Sequence, residues 1–159
     1  RRGETFVTKK IVNALCKIKL GLQKKLYLGN LDAKRDWGHA ADYVEAMWKI
    51  LQQKMSDDFV IATGKQYSVK QFVNFVSKKL GMKITWQGKG LKEKGIDALT
   101  KKIIIECDKN YFRPLDVNTL LGDAKKARKK LKWKPKINIT QLVDDMVTEE
   151  LAVLKNYVE

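Results

Sequence analysis

Asp57-Asp58-Phe59-Val60-Ile61-Ala62-Thr63-Gly64 sets an unbroken apolar run between two carboxylates and a glycine. Such a run, without alternation, predicts a strand covered on both faces, as in the interior of a parallel sheet. Directly after it, Tyr67-Ser68-Val69-Lys70-Gln71-Phe72 reads as a helix start. Ser68 and Gln71 have the spacing of a capping box, and Tyr67 and Phe72 that of a hydrophobic staple. Val69, Phe72, Val73, Val76 and Leu80 then form an apolar stripe that Gly81 closes. A buried strand followed by a capped helix points to an α/β class.

The flanking segments follow the same alternation. Val7, Ile11, Leu15 and Ile18 recur at helical steps over residues 5–20, and Gly21 supplies a stop. Residues 25–29 form a short strand candidate, and residues 40–53 a second helix with Val44, Met47, Trp48 and Leu51 as its expected inner face. Beyond the central helix, residues 83–86 and 103–108 are strand candidates. The intervening 87–102, with three glycines and five lysines, reads as a mobile loop. Asp123 is placed to cap a short Lys-rich helix, and Thr140 to cap a final one facing inward through Leu142, Met146, Val147 and Leu151. The apolar run at 59–63 wants a neighbour on each side, and few other segments are apolar enough to serve.

At 159 residues the chain suits one domain. No apolar run approaches the ~20 residues that span a bilayer, so no membrane partner is expected. Two distant cysteines, Cys16 and Cys107, both in apolar runs, fit buried thiols in a reducing cytoplasm. His39 is the single histidine, which leaves no cluster for zinc. The net charge is +15, but only five of the 33 basic residues are arginine and the lysines are spread in pairs. Base readout favours the arginine fork, so solvated faces explain the charge better than nucleic-acid binding. The start, Arg1-Arg2-Gly3-Glu4, has neither Met nor signal peptide and reads as a truncation point.

The chain carries no GxGxxG after a strand, no Walker motif and no Tyr-x-x-x-Lys. His39 sits at a helix start, where capping is commoner than catalysis. What remains is chemistry for anions. Arg35 in Arg35-Asp36-Trp37 and Arg113 in Tyr111-Phe112-Arg113-Pro114 each stand beside aromatics, and an arginine fork grips a diphosphate. Lys10 adds a charge, and Asp116 is suited to accept from a sugar hydroxyl. Plain ion pairs of Arg35 with Asp36 or Asp32, and of Arg113 with Asp116, explain the same residue types equally well.

Several stretches resemble the GDP-mannose 4,6-dehydratase family, within the extended short-chain dehydrogenases. They are residues 1–11 (Arg1-Arg2-Gly3-Glu4-Thr5-Phe6-Val7-Thr8-Lys9-Lys10-Ile11), Leu28-Gly29-Asn30 through Arg35-Asp36-Trp37-Gly38-His39-Ala40, and Asp42-Tyr43-Val44-Glu45-Ala46-Met47-Trp48. Asp58 through Gly64, Tyr111-Phe112-Arg113-Pro114 and Leu121-Gly122-Asp123 complete them. The resemblance implies an α/β C-terminal nucleotide-sugar-binding region over 1–159, lacking most of the Rossmann sheet, with 59–63 a strand of that missing sheet. It implies an NADP-dependent lyase in which C4 of GDP-mannose is oxidised, water leaves across C5 and C6, and the hydride returns to C6. The catalytic Tyr, Lys, Thr and Glu would lie upstream, so this chain alone would be inactive; full length, it would be a cytoplasmic homo-oligomer. By similarity Arg2 matches a contact to NADP, and Val7, Lys10, Arg35, Arg113 and Asp116 match contacts to GDP-mannose. Lys9 and Asp116 stand where the family has Arg and Glu, and Lys132 where it has Gly. The rival reading is a stand-alone nucleotide-binding or interaction module.

Overall fold

The structure is a computed structural model; it describes residue 3, residues 6–112 and residues 117–155. Helix α1 (Val7–Lys19) leads into strand β1 (Leu26–Leu28), the short β2 (Lys34–Arg35) and helix α2 (Ala40–Leu51). Then come β3 (Tyr67–Ser68), α3 (Val69–Lys79), β4 (Ile84–Gln87), β5 (Lys94–Asp97) and β6 (Ile103–Cys107). Helices α4 (Lys125–Lys130) and α5 (Ile139–Lys155) close the described chain.

Four strands form one sheet in the order β1-β6-β5-β4. Its only parallel pair is β1 with β6, where Leu26 faces Ile105; β5 runs antiparallel to both its neighbours. Helices α1, α3 and α5 pack on one another and on this sheet. Ile11, Leu15, Phe72, Val73, Val76 and Ile105 are fully buried in that core. At ~25 cal/mol per Å² of apolar surface, these side chains dominate its stability. The capping box is present in full: Ser68 Oγ accepts from the Gln71 amide at 3.1 Å, and Gln71 Oε1 accepts from the Ser68 amide at 2.8 Å.

A second, smaller core gathers Ala46, Ala62, Ala127, Leu131 and Trp133, with Tyr43, Ile50, Phe59 and Ile61 around them. It ties α2 and α4 together. Trp133 Nε1 donates to the Asp42 carbonyl at 2.8 Å, and the buried Asp42 carboxylate accepts from the Lys136 and Ile137 amides.

Residues 59–63, expected as a strand of a sheet that this chain does not span, pair with no described residue: Ala62 is buried in the second core, but Val60 is 54% exposed. A ladder needs a neighbour in the same sheet, and the described residues supply none. Three other expectations need correction. On α2 the expected inner face is the outer one: Val44, Met47, Trp48 and Leu51 are exposed, while Asp42 and Ala46 are buried. The glycine-lysine stretch contains β5, in the interior of the sheet. Gly95 fits there because a Cβ would lie 3.0 Å from Ile105, and the register shifts beside it, as at a bulge. In the main core Tyr67 stands edge-on against Phe75 at 5.5 Å, and Phe72 meets Trp37 at 5.0 Å. The last helix is capped by Asn138, not Thr140, through reciprocal bonds with Gln141. Its inward residues are then Ile139, Val143, Val147 and Leu154, with Leu142, Met146 and Leu151 partly buried. Asp123 accepts from the Lys125 amide at 2.9 Å, two residues before α4 begins, while Ala124 holds the N-cap position.

Candidate functional site

Arg35 ends β2 and pairs across the ladder with Tyr67. Lys34 also bridges Thr119, so β2 is held between β3 and the 118–120 segment. From there the Arg35 guanidinium donates to the Val117 carbonyl at 2.6 Å and to the Lys34 carbonyl at 2.8 Å. The arginine is therefore tied to the residue that directly follows Asp116 in the chain.

The carboxylates proposed as its simple partners are engaged elsewhere. Asp36 accepts from the Thr63 amide (3.1 Å), the Thr63 hydroxyl (2.5 Å) and the Gly64 amide (2.8 Å). Asp32 lies 3.6 Å from Lys70, which also binds the buried Glu93 at 2.5 Å. Trp37 packs on Phe72, and His39 caps α2, its Nδ1 accepting from the Ala41 amide at 3.1 Å. The Nε2 of His39 stands 3.2 Å from Asp145. The run from Arg35 to His39 is thus fixed at every residue but Gly38. Even there an added Cβ would lie 2.5 Å from the Tyr43 hydroxyl.

Lys10 lies on α1 with its Nζ 3.2 Å from the centroid of the Tyr111 ring, a cation–π contact. Tyr111 stands two residues before Arg113. A hollow of about 260 Å³ opens here, lined by Lys10, Asn13, Gln23, Lys25, Tyr27 and Tyr111. The backbone of Tyr111 comes so close to Gly29 that a Cβ there would lie 2.1 Å from the Tyr111 carbonyl oxygen. Lys10 thus touches Tyr111 and Arg35 touches Val117, described residues that lie in the chain before and after 113–116. Val7, half-buried at the start of α1, packs against the main core. Arg2, Arg113 and Asp116 lie outside the described residues.

Another hollow, about 370 Å³, shares Tyr27 but gathers Glu93, Glu106 and Asp108. Those carboxylates disfavour an anion. Lys25 bonds Glu106 at 2.8 Å, and this bond, chiefly, holds the ammonium above its ordinary pKa. The two thiols offer no nucleophile: burial pushes Cys16 up to about 12 and raises Cys107 as well. Among the described residues no group of three His, Cys, Asp or Glu is placed to hold a metal ion. No helix among them is long and apolar enough to cross a membrane.

The family description "GDP-mannose 4,6 dehydratase" matches residues 1–146. A GDP-mannose 4,6-dehydratase of Vibrio cholerae is 48% identical over 99% of this chain, and the match takes up 45% of that protein. One from Sinorhizobium fredii is 51% identical over 97% of this chain and 44% of its own length. In Caenorhabditis elegans, GDP-mannose 4,6 dehydratase 2 is 50% identical, with 98% and 40% covered. Among solved structures, RMD from Pseudomonas aeruginosa complexed with NADPH aligns at a TM-score of 0.75 and 16% identity, over 96% of this chain and 44% of that one. The dTDP-glucose 4,6-dehydratase of Bacillus anthracis, in complex with NAD, aligns at 0.66 and 19%, over 92% and 39%. These structural likenesses establish the fold: α/β with a small sheet, aligned to 44% and 39% of those longer chains. The chain spans less than half the length of the curated relatives it matches.

Proposed function

Since this chain belongs to the GDP-mannose 4,6-dehydratase family, we propose that it is the substrate-binding, C-terminal part of such an enzyme. The observation that supports this most is near-half identity to proteins of that name over almost the whole chain. In this reading the GDP end of GDP-mannose lies between Lys10 and Arg35, across the 113–116 segment. Arg35 is held by its strand and by the Val117 carbonyl, so its fork meets a diphosphate with little ordering cost. Arg113 and Asp116 are proposed to take the diphosphate and ribose. Val7 and Lys10 serve the nucleotide end, where the Tyr111 ring offers a stacking surface beside the lysine.

The reaction proposed for the whole enzyme is conversion of GDP-mannose to GDP-4-keto-6-deoxymannose in the cytoplasm, by a homo-oligomer. NADP would supply the hydride acceptor and donor for that chemistry. The described residues include no glycine-rich phosphate loop and no Tyr-x-x-x-Lys to receive it. Arg2 is the one residue here proposed to reach the cofactor, and the rest of its site is assigned to the part this chain does not span. What these residues do is hold and orient the nucleotide-sugar. By itself the chain is expected to turn over nothing.

Calorimetry with GDP-mannose tests the reading, comparing the parent chain with Arg35→Ala and Arg113→Ala. Each loss of a charge-assisted contact is expected to cost about 1.5–3 kcal/mol of binding. Unchanged affinity in both variants would overturn the assignment, and product formed by the chain alone would overturn its division of labour.

A further inference from the structure

Residues 125–136 hold seven lysines and one arginine in twelve positions, and all 18 acidic residues lie elsewhere in the chain. All eight of these cations are exposed. Buried Ala127, Leu131 and Trp133 pin the stretch to the second core, so the charges stand on a fixed frame. At about 100° per residue, the cations of α4 fan over roughly half the circumference of the helix. Lys132, Lys134 and Lys136 extend the row beyond it.

Carboxylates meet some of these charges. Asp57 binds Lys126 and Lys130, Asp123 binds Lys125, and Glu45 binds Lys136. Arg128 donates to the Thr63 carbonyl. No described carboxylate pairs with Lys129, Lys132 or Lys134. Lys132 follows the last turn of α4 with a φ of 51°, in the left-handed region that glycine enters freely and lysine does not. Glycine would relieve that strain, yet the chain sets an exposed, unpaired charge there.

We propose that this surface binds linear polyphosphate. A lysine ammonium suits phosphate as a point charge. Nothing in the stretch reads a base or enters a lipid layer: Arg128 is tied to Thr63, and Leu131 and Trp133 are buried. Single-stranded nucleic-acid sites use aromatic stacking platforms, and helices that lie in a membrane interface turn apolar groups toward it. The arc of charge also selects by shape. A rigid duplex or a flat bilayer meets one side of such a helix, whereas a flexible chain of phosphates follows it round. The proposal does not rest on the placement of GDP-mannose, so either can fail alone.

Fluorescence anisotropy with end-labelled polyphosphate at physiological salt tests it. A triple variant, Lys129→Ser with Lys132→Gly and Lys134→Ser, removes only unpaired charges. It keeps every ion pair above and relieves the strain at residue 132, so it is expected to fold. Its binding should weaken roughly 30-fold, and the slope of log affinity against log salt should shrink by about 2. A control triple takes the same charge from exposed lysines elsewhere, as Lys24→Ser with Lys78→Ser and Lys89→Ser. It should change affinity by less than about 3-fold. Lys132→Gly alone should raise the Tm while weakening binding, a split that a merely structural lysine would not give. Equal losses in the two triples would reduce the effect to net charge and overturn the proposal. An equal loss in Arg35→Ala would overturn it by moving the polymer to the nucleotide-sugar site. Duplex DNA or anionic vesicles bound as tightly at equal phosphate concentration would overturn it too, as would no binding by the parent chain.

Discussion

Replacing Asp36 by asparagine probes how the Arg35–His39 run is fixed. The two carboxylate oxygens divide their work: Oδ1 takes both donors of Thr63 and Oδ2 takes the Gly64 amide at 2.8 Å. An asparagine has one acceptor oxygen. If that oxygen keeps Thr63, its NH2 group confronts the Gly64 N–H, donor against donor. Flipped, it confronts two donors. At least one donor is therefore orphaned, at about 1–3 kcal/mol, and the surviving bonds lose their charge assistance. The contacts are only partly buried, so water recovers some of this, and a net loss of about 2–3 kcal/mol is expected. With a urea m-value of about 2 kcal/mol/M, the midpoint should fall by roughly 1 M. Thr63→Val removes one of the three donors and should cost about 1 kcal/mol, but less in the Asp36→Asn background, because neighbours in one network are not additive. Amide exchange at Gly64 should quicken together with the loss of stability. An Asp36→Asn midpoint within about 0.2 M of the parent would refute the reasoning, since the three contacts would then contribute nothing net.

Gly29→Ala puts a methyl 2.1 Å from the Tyr111 carbonyl oxygen, so that turn must move. Overpacking of this kind costs about 1–3 kcal/mol, read as a Tm drop of roughly 2–10 °C, and calorimetry should show weaker binding of GDP with it. Asp57 accepts from Lys126 and Lys130, which hold its carboxyl well below the usual carboxylate range. Its contribution is complete above the unfolded pKa of about 3.9 and fades as pH falls toward the folded one. Asp57→Asn should therefore flatten the decline of stability below about pH 4 in acid titrations followed by circular dichroism. Cys16, pushed up to about 12 by burial, should resist alkylation at pH 8 until urea opens the core, with Cys107 reacting first.

Much of the frame was legible because single residues carried it. Ser68 and Gln71 specify the start of α3, and the stripe that follows is buried as its spacing requires. Helix α2 was legible as a helix but not in its orientation. Both its faces are apolar, so periodicity alone cannot rank them, and the inward one is marked only by the small Ala46 and by the buried Asp42. β5 escaped because lysines and a glycine are poor strand formers, yet Gly95 is wanted there for close approach to Ile105. At the site, residue types left Arg35 open between a ligand and a nearby carboxylate. The structure shows Asp36 committed to Thr63 and Gly64, a contact that spans 27 residues and leaves no local signature. Tyr111, which lines the hollow beside Lys10, meets Gly29 only after the chain has folded, so their relation was also invisible in sequence. Tyr111 stood in the quoted Tyr-Phe-Arg-Pro stretch, and that was its only signal.

Helices α1 and α5 cover one another, and buried Glu150 joins them by binding Lys9 and Asn13, 141 and 137 residues away. On a ribosome that order has a cost in time. Ile11 and Leu15 emerge well over a hundred residues before the α5 side chains that cover them. Until α5 is made the apolar stripe of α1 waits without its partner, at risk of sticking to other nascent chains. The parallel β1–β6 pair waits too, since Leu26 must meet Ile105. This body consequently assembles late and all at once rather than piece by piece, and its yield in a cell should depend on chaperones that shelter the unfinished chain.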